Sequence, residues 1–109
     1  MVYEIFATES FKREIMKLSE KDNKEIMKLF LQLKENPYVG DSLRFRFFRE
    51  KRMREKRIYY LIYDNLSAVL VIAIGGKKKQ QETIDYIIKD LPKYQEYMRE
   101  MFRDKLSDS

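Results

Sequence analysis

Arg57–Ile74 reads RIYYLIYDNLSAVLVIAI, and the fold class turns on how this run is divided. Arg57–Tyr63 is aromatic and β-branched, the composition that suits a pleated, half-buried surface. Asp64-Asn65 carries turn chemistry. Ala68–Ile74 is apolar at every position, so it reads as a strand covered on both faces, the centre of a sheet. Gly75-Gly76 ends it. Two strands joined by a short turn, one central, set an antiparallel sheet as the frame for everything else.

Upstream of this pair, Leu43, Phe45 and Phe47 alternate with Arg44 and Arg46, which is the period of a half-buried strand. Arg49–Lys56 is polar and reads as a connection, with a frayed hairpin within it as the alternative. Further upstream the period lengthens. Phe11, Ile15 and Leu18 recur at helical spacing, with Thr8 or Ser10 as the cap. Ile26, Leu29, Phe30 and Leu33 form one stripe of a second helix, which Asp22 and Glu25 fit as a capping box. Asn36-Pro37 stops that helix. Val2–Phe6 reads as a short first strand.

Downstream, Ile84, Ile87, Ile88 and Leu91 make a stripe expected to pack on the sheet. Pro92 interrupts, and Tyr94, Tyr97, Met98, Met101 and Phe102 make another. The expected class is α+β, in the order β-α-α-β-β-β-α-α, with a twisted antiparallel sheet and its helices on one side. Residues 1–106 form a single small domain in this reading, 93–106 a C-terminal helical extension that also offers a homodimer surface, and 107–109 a disordered tail.

The chain has 109 residues, enough for one modest core. It has no His and no Cys. That removes Ser–His–Asp triads, thiol nucleophiles and ordinary zinc sites. No glycine spacing fits a phosphate-cradling loop. The expectation is a site with no metal and no cofactor. The N-terminus lacks a basic start followed by an apolar block, and no apolar run is long enough to span a bilayer, so the expected location is cytoplasmic and off the membrane.

Charge is segregated. Leu43–Arg57 holds eight cations against two carboxylates, a net +6, and Lys77–Lys79 adds +3, while the whole chain is only +5. The remainder is therefore net acidic, and a cluster on an acidic chain points to a polyanion. Arg44, Arg46, Arg49, Lys51 and Arg54 in the block, with Lys77 and Lys79 after the central strand, are the candidate nucleic-acid contacts. Tyr60 joins them as a stacking group. Lys and Arg also suit metal-free RNA cleavage, where charge builds on phosphate oxygens, and a tyrosine of the RIYYLIY run moves protons if neighbouring cations favour its anion. For Phe45, Phe47, Tyr60 and Ile62 a core position is the plainer alternative. Gln80-Gln81 does no more than start a helix.

In the order LKENPYVGDSL, FREKR, KRIYYLIYDN and AVLVIAIGGKKKQQETI, the chain resembles the RelE/ParE superfamily of toxins from type II toxin–antitoxin systems. The resemblance runs from about Phe11 to Leu91. It implies a small twisted sheet flanked by helices, no metal or organic cofactor, and an antitoxin partner, expected to be acidic. RelE-like members cut mRNA in the ribosome, and ParE-like members poison DNA gyrase. Carried over by position, Arg52, Arg57 and Lys78 become the catalytic cations of a RelE-like endoribonuclease. The slot of an arginine at the start of strand three is taken by Tyr59-Tyr60, and a C-terminal tyrosine used by some members is matched by Thr83. Those departures keep two rival readings open, a gyrase inhibitor and a non-catalytic nucleic-acid-binding remnant.

Overall fold

The computed structural model describes residues 2–107, with side chains as far as Arg103. Five strands form one sheet in the order β1-β5-β4-β3-β2: β1 Glu4–Ala7, β2 Asp41–Ser42, β3 Phe48–Met53, β4 Lys56–Tyr63 and β5 Ala68–Gly76. The helices are α1 Glu9–Ile15, α2 Glu20–Glu35, α3 Gln80–Lys89 and α4 Leu91–Ser107. The expected order of strands and helices holds, with one additional two-residue strand, β2, before β3. The strands from β2 to β5 pair antiparallel, and β1 adds parallel to β5, which makes the sheet mixed. β5 lies between β1 and β4, and Ala68–Ile72 is buried throughout, as its unbroken apolar run requires.

The helices do not share one side. One face of the sheet, through Ile58, Tyr60, Ile62, Val69 and Val71, packs on Phe11 of α1 and Ile26, Leu29 and Leu33 of α2. The opposite face, through Phe48, Tyr59, Leu61, Leu70 and Ile72, packs on Ile87 of α3 and Met98 of α4. A strand apolar at successive residues needs cover on both faces, so the run that identified the central strand also demanded two helical layers.

Two boundaries differ from the sequence expectation. Leu43–Phe47 is irregular chain, and Phe45 and Phe47 are each 39% exposed rather than core. The polar segment after it is the strand: β3 pairs with β4 from Phe48↔Leu61 to Met53↔Lys56 across a two-residue turn. That turn is hard to foresee because it contains no glycine; Arg54 takes the left-handed φ of 57° itself. The Arg52 Nε donates to the Arg54 carbonyl at 3.0 Å, and the Arg54 guanidinium meets Asp22 of α2, which together hold the strained residue.

At the helix ends, Ser19 rather than Asp22 caps α2, accepting from the Asp22 amide at 3.1 Å. Thr8 caps α1. Pro92 sits in the first turn of α4, where its missing N–H is harmless, and the break falls before it at Asp90. The α4 stripe of Tyr94, Tyr97, Met98 and Phe102 packs on the chain's own sheet, so the surface expected to serve a homodimer is already covered. Of the expected tail, Ser107 closes α4 and the rest lies outside the described residues. Among the described residues no helix is long and apolar enough to cross a membrane.

Candidate nucleic-acid interface

At one end of the sheet, Arg52 on β3 pairs with Arg57 on β4, and Arg57 pairs with Gly75 on β5. Directly paired residues project from the same face, with strands about 4.8 Å apart, so this is one lateral row on the α3–α4 side. Gly75 has open space where a side chain would stand, which lets another molecule approach the backbone. Two residues on, Lys77–Lys79 form a single 3-10 turn and are exposed. The two cationic stretches, some twenty residues apart in sequence, thus meet at one edge through strand register. Among the described residues, Arg52, Lys77, Lys78 and Lys79 pair with no carboxylate.

Beneath the row lies Glu50, the one charged side chain buried with the core of the described residues, at 8% exposure. It faces Tyr59 across the strand pair, which makes Arg57 its diagonal neighbour. The Arg57 Nε forms an ion pair with Glu50 Oε1 at 3.0 Å. From the start of α3, the Gln80 amide donates to both Glu50 oxygens at 3.1 and 2.9 Å. The carboxylate therefore links β3, β4 and α3. The ion pair engages Nε, and with the Arg57 side chain 13% exposed only a small part of the guanidinium faces solvent. Gln80 thus does more than begin a helix.

The tyrosines take no part in ionisation there. Burial pushes the Tyr59 hydroxyl up to about 12, with the Glu50 charge adding to the rise. Tyr60 is likewise pushed up to about 12 by burial. Tyr60 is fully buried, donating to the Pro37 carbonyl at 2.7 Å and accepting from the Gly40 amide at 3.1 Å. It has no face for a base, which corrects its assignment as a nucleic-acid contact. Burial at Tyr63 raises that hydroxyl to about 12 as well.

The remaining cations sit elsewhere. Arg49 is held by three backbone carbonyls, those of Gly40 at 2.8 Å, Arg46 at 2.9 Å and Tyr38 at 3.4 Å, so its role is to pin loops together. Lys51 lies beside Ile58 on the α1–α2 face. Arg54 is paired to Asp22, with Lys56 4.0 Å from the same acid. Arg44 and Arg46 are exposed at the other end of β4, where the Phe47 carbonyl accepts from the Ile62 amide at 2.8 Å. Arg46 lies over the Tyr38 ring at 4.4 Å. Five residues along an extended strand separate Ile62 from Arg57, about 16 Å. The basic block is therefore divided between two ends of the sheet.

The only signal that could have revealed Glu50 was its place in β3, and reading it needed the correct hairpin. With Met53 opposite Lys56, an acid two residues before Arg52 falls diagonally across from Arg57.

No protein-family model and no curated protein matches the sequence. Solved structures do match. A double mutant of the Escherichia coli toxin RelE in the free state superposes with a TM-score of 0.70 at 22% identity, covering 82% of this chain and 97% of that one. RelBE2, a toxin–antitoxin complex from Mycobacterium tuberculosis, gives 0.63 at 21% identity over 71% of this chain and 100% of that one. The archaeal RelE–RelB complex from Pyrococcus horikoshii gives 0.61 at 11% identity, over 71% and 97%. The chain has the fold of the RelE toxins.

Proposed function

We propose that this chain is the toxin of a type II toxin–antitoxin pair and a metal-independent endoribonuclease acting in the cytoplasm on ribosome-bound mRNA. The observation that carries the reading is the lateral row Arg52–Arg57–Gly75 with the lysine turn beside it: Arg52 and the lysines are exposed, and Arg57, 13% exposed, is held between them by a buried acid. The RelE fold supports it.

In this reading the ribose 2′-hydroxyl loses its proton to solvent water and attacks the adjacent phosphorus. The P–O5′ bond breaks, the departing 5′ oxygen takes a proton from water, and a 2′,3′-cyclic phosphate and a 5′-hydroxyl result. Negative charge grows on the two non-bridging oxygens and on the departing 5′ oxygen. The terminal nitrogens of Arg57, with Arg52, meet the non-bridging oxygens; Lys78 meets the leaving oxygen. Arg57 is held by Glu50 and Arg52 by the Arg54 carbonyl before the reaction, so these two need little reorganisation as the charge develops. Catalysis rests on this electrostatic complementarity, because the neighbouring tyrosines stay protonated near neutral pH. Arg44 and Arg46 bind RNA away from the reacting phosphate.

The partner in this proposal is an acidic antitoxin that neutralises the cationic edge; the solved complexes of proteins with this fold hold an antitoxin. Primer extension on mRNA from a cell-free translation reaction tests the nuclease. Wild-type protein is expected to produce discrete cuts that Arg57→Ala loses by about 10²–10³-fold. Intact mRNA with wild-type protein, or inhibition of gyrase supercoiling instead, would overturn the proposal.

A further inference from the structure

At the end of the sheet remote from Arg57, Phe45 and Phe47 stack with ring centroids 5.2 Å apart and planes within 5°. Both rings are 39% exposed, although each lies in a segment with no strand or helix to require them. Phe47 also forms a wall of a groove of about 500 Å³. Ile62, Leu91 and Pro92 line it with apolar surface, Ile62 being buried and Pro92 exposed, and the exposed Asn65 and Gln95 add polar side chains to the lining. Asp64 lines it too, held below the usual carboxylate range chiefly by the hydrogen bond from Tyr38 and then by that from Tyr3. Arg44 and Arg46 flank the stacked rings in sequence and are exposed. Among the described residues neither forms a salt bridge with a carboxylate.

We infer that this groove is a second nucleic-acid site, which takes an unpaired base of single-stranded RNA against Phe47. The inference rests on the proposed function for its ligand class, RNA. Stacked parallel rings present a flat outer face that a further flat ring extends, and every base supplies one. An apolar lining that includes side-chain amides is the recognition chemistry of a splayed-out base, whose Watson–Crick edge needs both donors and acceptors. The stacked rings favour a base over an acidic peptide, because their flat outer face matches another flat ring. Asp64 accepts from Tyr3 and Tyr38, and its remaining lone pairs suit a base's exocyclic amino group. Arg44 and Arg46 then meet the phosphates on either side of the inserted nucleotide.

The site is separate from the reacting row, since about 16 Å of β4 lies between them. It gives the protein a hold on RNA independent of the phosphate to be cut.

The test is binding of a fluorescent, 2′-O-methylated single strand of about 12 nucleotides, which cannot be cleaved, to the full chain and its variants. Phe45→Ala/Phe47→Ala is expected to weaken binding at least tenfold, about the loss of one or two base stacks. Arg44→Ala/Arg46→Ala is expected to lower the salt dependence by about one to two ions. Ultraviolet cross-links should map to Phe47 or Tyr63. The replaced rings are exposed, and coincident thermal melts verify that the variants fold. Unchanged affinity in the ring variant, or cross-links confined to Arg52–Arg57, overturns the inference. So does hydrogen-exchange protection of the groove by an acidic peptide but not by RNA. Cleavage is scored in parallel: wild-type protein that binds through the groove yet cuts nothing removes the nuclease proposal alone, and protein that cuts while the ring variant binds normally removes this one alone.

Discussion

Glu50 illustrates how one buried carboxylate can set the geometry of a cationic edge. Removing Arg57 leaves that acid with only the Gln80 amide, and an uncompensated charge at 8% exposure is costly. Arg57→Ala is expected to lower unfolding free energy by about 2–3 kcal/mol in urea titrations. The double variant Glu50→Ala/Arg57→Ala should recover much of that loss while remaining inactive in cleavage. Additive stability losses would mean that the pair is not coupled. Tyr60→Phe makes a second case. It unpairs the buried Pro37 carbonyl and Gly40 amide, so about 1–3 kcal/mol of stability should go, with RNA affinity unchanged. Asp64 gives a pH signature. Its carboxyl is depressed in the folded chain, so its contribution is fully present above the unfolded carboxylate value. That contribution disappears as pH falls through the lower folded value. Because Asp64 is exposed, solvent screens it to about 1 kcal/mol or less. Asp64→Asn should remove this acid-side dependence in melts recorded against pH.

At the scale of elements, the sequence was informative where periodicity was strong. The stripes of α2 and α3 and the unbroken run of β5 are where their spacing put them, because burial of those side chains is what the elements exist to achieve. The β3 strand was illegible for a physical reason. Both of its faces carry charge, with Arg49 and Lys51 on one and Glu50 and Arg52 on the other, so alternation is masked, and its turn uses Arg54 at positive φ in place of glycine. The alternation of Leu43–Phe47 was instead a false strand, and its phenylalanines stack on each other. The same error hid Glu50 and displaced half of the basic block to the wrong end of the sheet. Register brings Arg52, Arg57 and the lysine turn to one end of the sheet, and that register was not legible while Arg49–Lys56 read as a connection. The turn provides its own test. Arg54→Gly relieves the left-handed backbone but loses Asp22, whereas Arg54→Ala loses Asp22 and keeps the strain. The alanine variant should therefore be less stable by about 1 kcal/mol in thermal or urea denaturation.

For the molecule as a whole, two helical layers cover the sheet, and the cations of β3, β4 and the turn after β5 gather at one end because β3, β4 and β5 are in register. The fold supplies position, the lysine turn supplies charge at the margin, and Glu50 with Gln80 fixes the central guanidinium. Primer extension in a cell-free translation reaction, comparing wild-type protein with Arg57→Ala and Glu50→Ala/Arg57→Ala, tests this most directly. Cuts by the wild type alone, with the double variant stable but silent, are the expected result. Uncut mRNA with wild-type protein, or equal cutting by either variant, would contradict it.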